Sequence, residues 1–140
     1  MGESCFENCT ILKRVVIDGT INGISRYCFY GCRTLSEVVF QDSLAKSSSI
    51  KGIGVRAFGN CTSLERLDLS AQSGLEVMGA RTFEGCENLT NIKLPENLQQ
   101  IPDYCFEGCD ALSIVQLGGD AVVELGDRVF GEKDELPQFL

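Results

Sequence analysis

The sequence contains no histidine, and this absence excludes several classes of enzyme site. Ser-His-Asp and Cys-His nucleophile systems, HExxH zinc sites, and acids or bases built on imidazole all need that side chain. No run of 18 apolar residues is present, so a membrane-spanning helix is excluded as well. We therefore expect neither an enzyme, nor a bound cofactor or metal, nor insertion into a membrane.

Basic residues are also scarce. Twelve lysines and arginines against 20 aspartates and glutamates give a formal net charge of −8. Such a balance repels phosphate backbones, so nucleic acid is not an expected partner. With 44% hydrophobic and 23% charged residues, the 140-residue chain has the composition of one folded domain.

Six of the eight phenylalanines mark an internal repeat. They are separated by 23, 29, 25, 23 and 24 residues, within the range of leucine-rich repeats. A cysteine follows three residues after each of the first five, a leucine follows after six, and two further apolar residues complete an LxxLxL pattern. The six are Phe6, Phe29, Phe58, Phe83, Phe106 and Phe130.

This pattern predicts an α/β-type repeat solenoid, in which no repeat buries its apolar columns alone and stacking creates the core. We expect a right-handed leucine-rich repeat array with one short parallel β-strand per 23–29-residue repeat and a helical, 3₁₀ or irregular convex side. We expect residues 1–140 to form a single array of about five full repeats and a partial sixth. The strand of the sixth repeat is expected to begin at Leu136.

Two further local features follow from the repeat alignment. The column two residues after each of the first five phenylalanines contains only Asn or Gly, which predicts a left-handed turn ending a helical or 3₁₀ turn there. Its members are Asn8, Gly31, Asn60, Gly85 and Gly108. The longest interval contains Asp42 to Ser49, an insertion that we expect to form a surface loop.

The chain begins and ends within a repeat, which leaves apolar core and strand edges uncovered in the predicted array. We therefore expect a piece of something larger, or ends that stack on further repeats or on copies of the chain.

The repeat resembles the BspA-like, Treponema pallidum class of leucine-rich repeats. Arg56, Ala57, Phe58 and Cys61, continued by Leu64, Leu67 and Leu69, make the closest copy of that pattern. The resemblance implies a binding or adhesion module without catalytic residues, often on the surface of bacteria or protists. One departure is that cysteines replace the usual alanine before the phenylalanine at three positions, Cys5, Cys28 and Cys105.

Eight cysteines allow three interpretations: a zinc site, disulfides, or free buried thiols. CxxxC spacing is unlike the CxxC of zinc knuckles, and the two cysteine columns have five and three members, so neither can pair completely within itself. Free buried thiols are therefore favoured, and they indicate a reducing compartment. Because the family resemblance indicates the cell surface instead, the compartment stays open.

Side chains between the inward strand positions are the candidate binding residues, because they project to the open surface of the sheet. We call this surface the concave face. Its predicted members are Arg14, Val16, Asp18, Glu37, Val39, Gln41, Arg66, Asp68, Ser70, Asn91, Lys93, Ile114 and Gln116.

Three expectations concern this face. Arg14, Glu37 and Arg66 alternate in charge, and Asp68 lies beside Lys93. A second expectation is an exposed apolar strip formed by three β-branched side chains, Val16, Val39 and Ile114. The resulting hypothesis is a non-catalytic protein-protein interaction module, with a glycan as a secondary ligand. Its alternatives are a solvated ladder without a ligand, and a structural subunit packed inside a larger assembly.

Overall fold

The computed structural model describes residues 2–19, 21–41, 50–119 and 123–140, and the predicted loop at 42–49 lies outside these ranges. The described residues form a parallel β-solenoid of about five turns. The first wall consists of strands β1 (Arg14–Asp18), β3 (Glu37–Gln41), β5 (Arg66–Asp68), β7 (Asn91–Lys93), β9 (Ile114–Gln116) and β11 (Gln138–Phe139). The second wall consists of β2 (Gly23–Ile24), β4 (Gly52–Ile53), β6 (Val77–Met78), β8 (Gln100–Ile101) and β10 (Glu124–Leu125).

The prediction of one strand per repeat is wrong, because each of the first five repeats contributes a strand to both walls. In the first wall β1 pairs with β3, and β5, β7, β9 and β11 pair in sequence order. In the second wall β2, β4 and β6 form one parallel sheet, and β8 pairs with β10. Two-residue strands are too short to show the alternation by which a strand is recognised in a sequence.

Of the helical, 3₁₀ or irregular convex side that was predicted, the helical and 3₁₀ forms are wrong, since no helix occurs among the described residues. The segment around each phenylalanine is a chain of turns, such as the bonds from the Gly59 amide to the Arg56 carbonyl and from the Cys61 amide to the Phe58 carbonyl. Left-handed residues interrupt these turns, and a right-handed helix cannot propagate through them.

The predicted left-handed column is confirmed, with φ of 55–74° at its five Asn and Gly positions. A second left-handed column, two residues before each phenylalanine, was not predicted. It has φ of 45–60° at Ser4, Tyr27, Arg56, Arg81, Tyr104 and Arg128. Most of these residue types disfavour this conformation, so their sequence carried no signal for it.

The core contains a continuous stack of phenylalanine rings. The rings of the six repeats follow one another at centroid distances of 5.3–5.8 Å, and consecutive planes are parallel to within 11°. Phe29, Phe58, Phe83 and Phe106 are fully buried. The repeated phenylalanine therefore joins each repeat to both neighbours.

All eight cysteines are free thiols, and six of them are buried. In the column three residues after the phenylalanine, each thiol from the second repeat to the fifth donates a hydrogen bond to the phenylalanine carbonyl of the preceding repeat. The four bonds, of 3.0–3.2 Å, start from Cys32, Cys61, Cys86 and Cys109. Burial raises the pKa of Cys32 to about 11 and raises the pKa of Cys61, Cys86 and Cys105 as well.

The sixth repeat departs from this pattern. Lys133 occupies the cysteine column, and its Nζ donates to the backbone carbonyls of Cys109 and Leu112. The last strand begins at Gln138 rather than at Leu136, so the predicted start is wrong. Leu136 is exposed and Pro137 is buried in the turn before that strand.

Candidate interaction surface on the concave face

Twelve of the thirteen predicted residues lie on first-wall strands, and Ser70 lies in the turn after β5. Strand pairing arranges most of them in two rows, each broken between β3 and β5. One row contains Arg14, Glu37, Arg66, Asn91 and Ile114. The other contains Val16, Val39, Asp68, Lys93 and Gln116. The pair Asp18 and Gln41 lies next to this second row, at the ends of β1 and β3.

A break divides this face. Among the described residues, no backbone hydrogen bond joins β3 to β5, although every other pair of successive first-wall strands is hydrogen-bonded. Strand β3 ends at Gln41, immediately before the insertion, so the break falls at the longest repeat.

A depression of about 330 Å³ lies at the break, and we call it the β3–β5 groove. Inward-pointing residues show how the sheet opens there: Val38 of β3 is only partly buried, whereas Leu67 of β5 is 3% exposed. Six of the predicted binding residues line the groove together with these two. They are Glu37, Val39, Arg66, Asp68, Asn91 and Lys93.

Two of the expected charge pairs are formed on the concave face. Arg14 Nε donates to Glu37 Oε2 at 3.0 Å, and Lys93 Nζ lies 3.9 Å from Asp68 Oδ2. Arg66 has no ion pair or side-chain hydrogen bond in the described part of the chain, so the expected contact with Glu37 is wrong. The break explains the difference, because it separates the strands that carry these two residues.

The carboxylate of Asp68 is held by its own turn. Partial burial raises its pKa, but hydrogen bonds from the Ser70 hydroxyl and amide, together with Lys93, outweigh this effect and leave the pKa lowered. Asp68 therefore remains an anion whose charge is already satisfied within the protein.

The predicted apolar strip of three residues is wrong in one member. Val16 and Val39 are neighbours in the register of β1 and β3, and Val16 is 44% exposed. Ile114 lies in the other row, opposite Asn91. The sequence contained the necessary signal, since both valines lie ten residues after their phenylalanine and Ile114 lies eight after.

The negative charge of the chain is unevenly distributed. Residues 1–95 contain ten basic and ten acidic side chains. Residues 96–140 contain two basic and ten acidic side chains. All residues of the β3–β5 groove belong to the neutral part. The groove therefore belongs to the neutral part of the chain, although β7 on one side of it pairs with β9 of the acidic part.

A family model described as the BspA-type leucine-rich repeat region matches residues 1–137 in six copies. The chain belongs to the BspA-type leucine-rich repeat family. The resemblance carried by the Phe, Cys and LxxLxL columns is thereby confirmed. No curated protein matches the sequence significantly.

Three solved structures are similar to this BspA-type chain. A leucine-rich repeat protein of Treponema pallidum is 22% identical, with a TM-score of 0.66 over 91% of this chain and 67% of its own. A leucine-rich repeat protein of Bacteroides ovatus is 23% identical, with a TM-score of 0.64 over 98% of this chain and 40% of its own. A leucine-rich cell surface protein of Faecalibacterium prausnitzii is 22% identical, with a TM-score of 0.66 over 95% of this chain and 41% of its own.

These likenesses support the fold alone. The chain spans about two thirds of the first of these proteins and about 40% of the other two. Within the described ranges, no helix has the length and apolar character needed to cross a bilayer. In the same ranges no three Cys, Asp or Glu side chains converge as ligands for a metal.

The BspA-type array also contains a polar network that sequence reasoning missed. On the turn side, Glu84 accepts hydrogen bonds from Arg56 at 2.8 Å and from Arg81 at 2.7 Å. Arg81 also reaches Glu107 at 3.2 Å and lies 4.3 Å from the centre of the Tyr104 ring. The alignment contained a partial signal, since Arg56 and Arg81 both lie two residues before their phenylalanine and Glu84 and Glu107 both lie one residue after theirs. Because these charges satisfy one another, the network links repeats and is not a free binding site.

Proposed function

We propose that this chain is a non-catalytic interaction module that binds a partner protein on its concave face. The β3–β5 groove is the observation that carries the proposal. It combines an apolar floor with charged walls on one continuous surface, as protein-binding surfaces do. Leucine-rich repeats of this family commonly serve as protein-interaction modules.

The rigidity of the array supports the same function. The ring stack and the thiol hydrogen bonds fix successive repeats against one another before any ligand is present. A preformed surface loses little conformational entropy on association, so more of the contact energy remains as affinity. The Val16 and Val39 pair next to the groove supplies apolar area at its N-terminal side.

A structural subunit packed inside a larger assembly is the second candidate. It is favoured by exposed valines outside the concave face, Val55 at 38% and Val77 at 63%, of which Val77 lies on β6 of the second wall. Exposed apolar side chains of this kind are covered when a wall packs against a neighbour.

One experiment separates the two candidates. The full chain is used as bait in extracts of the source organism with an amine-reactive cross-linker, and captured proteins are quantified by mass spectrometry. The variants are the double substitution Val16→Glu with Val39→Glu, and Val77→Glu as its matched control. Circular dichroism verifies that both variants are folded.

If the concave face binds the partner, we expect captured proteins that cross-link to Lys93. Their capture should be lost with the Val16→Glu, Val39→Glu variant and retained with Val77→Glu. Capture that is lost only with Val77→Glu would instead support the structural subunit. Capture unchanged in both variants would refute binding at either surface.

A further inference from the structure

We propose that the β3–β5 groove receives an extended segment of the partner protein that carries an acidic side chain beside an apolar one. The acidic side chain pairs with Arg66, and the apolar side chain packs on Val38 and Val39. This inference rests on the proposed function, because it specifies which partner chemistry the concave face recognises.

Arg66 supplies the argument from charge. Three cations lie on the described concave strands. Of these, Arg14 forms an ion pair with Glu37, and Lys93 forms an ion pair with Asp68. Arg66 projects from β5 and is exposed, without an ion pair in the described part of the chain. A guanidinium has a fork of donors that matches a carboxylate, so an Asp or Glu side chain complements this position.

The anions near Arg66 do not compete with such a ligand. Glu37 is bonded to Arg14, and the Asp68 carboxylate accepts two hydrogen bonds from Ser70. The groove also lies in the part of the chain with equal numbers of basic and acidic side chains. An acidic segment can therefore approach it although the whole chain is negative, since exposed charges beyond a Debye length are screened.

The floor of the groove supplies the argument for the apolar side chain. Val38 belongs to the inward column that is buried in the third, fourth and fifth repeats, yet it is only partly buried at the break. Val39, its neighbour on β3, also lines the groove. An apolar side chain in the groove packs on Val39 and on the part of Val38 that the open edge of the sheet leaves exposed, which removes this surface from water.

The backbone and the size of the groove indicate an extended ligand. Among the residues that the structure describes, the facing edges of β3 and β5 have no partner strand at the break, which leaves sheet-edge groups beside the groove. A volume of about 330 Å³ is at the lower end of the range for ligand pockets and suits a few side chains rather than a folded domain.

The test uses an array of ten-residue peptides with a variable four-residue centre between Gly and Ser spacers. Centres pair Asp or Glu with Leu or Val, and matched peptides replace the acid by Asn, Gln or Lys. The full 140-residue chain is applied as wild type, Arg66→Gln, Arg66→Lys and Arg33→Gln, and hits are titrated in solution. Arg33 is an exposed turn residue away from the strands, so its variant controls for the loss of one positive charge.

We expect acidic-apolar peptides to bind the wild type and the Arg33→Gln chain equally, and to bind Arg66→Gln about tenfold more weakly. Arg66→Lys should retain part of the affinity. Raising the salt concentration should weaken binding to the wild type and have little effect on Arg66→Gln.

Three results would overturn the inference: no peptide binding at millimolar concentration, hits without acidic enrichment, or affinity unchanged by Arg66→Gln. A parallel titration with Val39→Asp separates this failure from failure of the proposed function. If Val39→Asp abolishes binding and Arg66→Gln does not, the concave face binds its ligand without an acidic anchor.

Discussion

The buried thiols predict that this array loses stability at alkaline pH. Cys32, Cys61, Cys86 and Cys105 are fully buried, and burial raises the pKa of each thiol in the folded chain. In the unfolded chain the same thiols titrate near the ordinary value of 9.0. Their raised pKa values therefore contribute stability that is fully present below about pH 9 and is lost as the pH rises toward the folded values.

The magnitude follows from the linkage between protonation and folding. At about pH 10 an unfolded thiol is mostly thiolate, which stabilises the unfolded state by about 1.4 kcal/mol per group. Four such thiols together remove about 5–6 kcal/mol, a large part of the roughly 5–15 kcal/mol by which domains are stable. The array should consequently unfold at a much lower urea concentration at this pH than near neutrality.

Urea unfolding followed by far-ultraviolet circular dichroism, with a phosphine reductant, measures this loss between about pH 7.5 and 10. Cys86→Ala should reduce the pH-dependent loss by about a quarter, because one of the four ionisations is removed. Cys5→Ala, at an exposed thiol, should leave the loss unchanged. A total loss below about 1 kcal/mol, or equal behaviour of the two variants, would refute the reasoning.

Three further predictions concern the core and its polar contacts. Phe58→Leu should lower the free energy of unfolding by about 2–4 kcal/mol, because the ring is buried between two others. Phe6 has one stacked neighbour, so Phe6→Leu should lower the free energy of unfolding, measured with urea, by less than half as much. Gln72→Leu should cost about 1–3 kcal/mol, since buried Gln72 Oε1 accepts the Ile50 amide proton at 3.1 Å; slow hydrogen exchange at that amide in the variant would contradict this. Glu84→Gln should cost about 1 kcal/mol at low salt and less at high salt; an equal cost at both would disprove an electrostatic role.

Much of the fold was predictable because the residues that determine it recur in columns. The phenylalanine column predicted the stacked core, and Asn60 and Gly85 predicted left-handed turns that the structure contains. The concave rows were predictable because strand alternation has a period of two, which assigned Val16 and Val39 to the open side. These features depend on local residue type and spacing alone.

The remaining features depend on tertiary context. Arg56 and Tyr104 adopt positive φ because the closed turn around the phenylalanine imposes it, against the preference of these side chains. Arg66 was expected to oppose Glu37, and only the folded chain reveals that β3 and β5 do not pair. The groove follows from that missing pairing, so strand alternation located its lining residues without revealing the groove itself.

The ring stack has a geometric consequence for the binding surface. Successive phenylalanine rings are 5.3–5.8 Å apart, whereas parallel strands lie about 4.7–4.9 Å apart. Each repeat is thus a wedge, thicker by roughly 15% at the ring column than at the sheet. A stack of such wedges bends toward its thin side, which makes the thickness of a buried aromatic ring a determinant of how tightly the opposite face can wrap a ligand that the ring never touches.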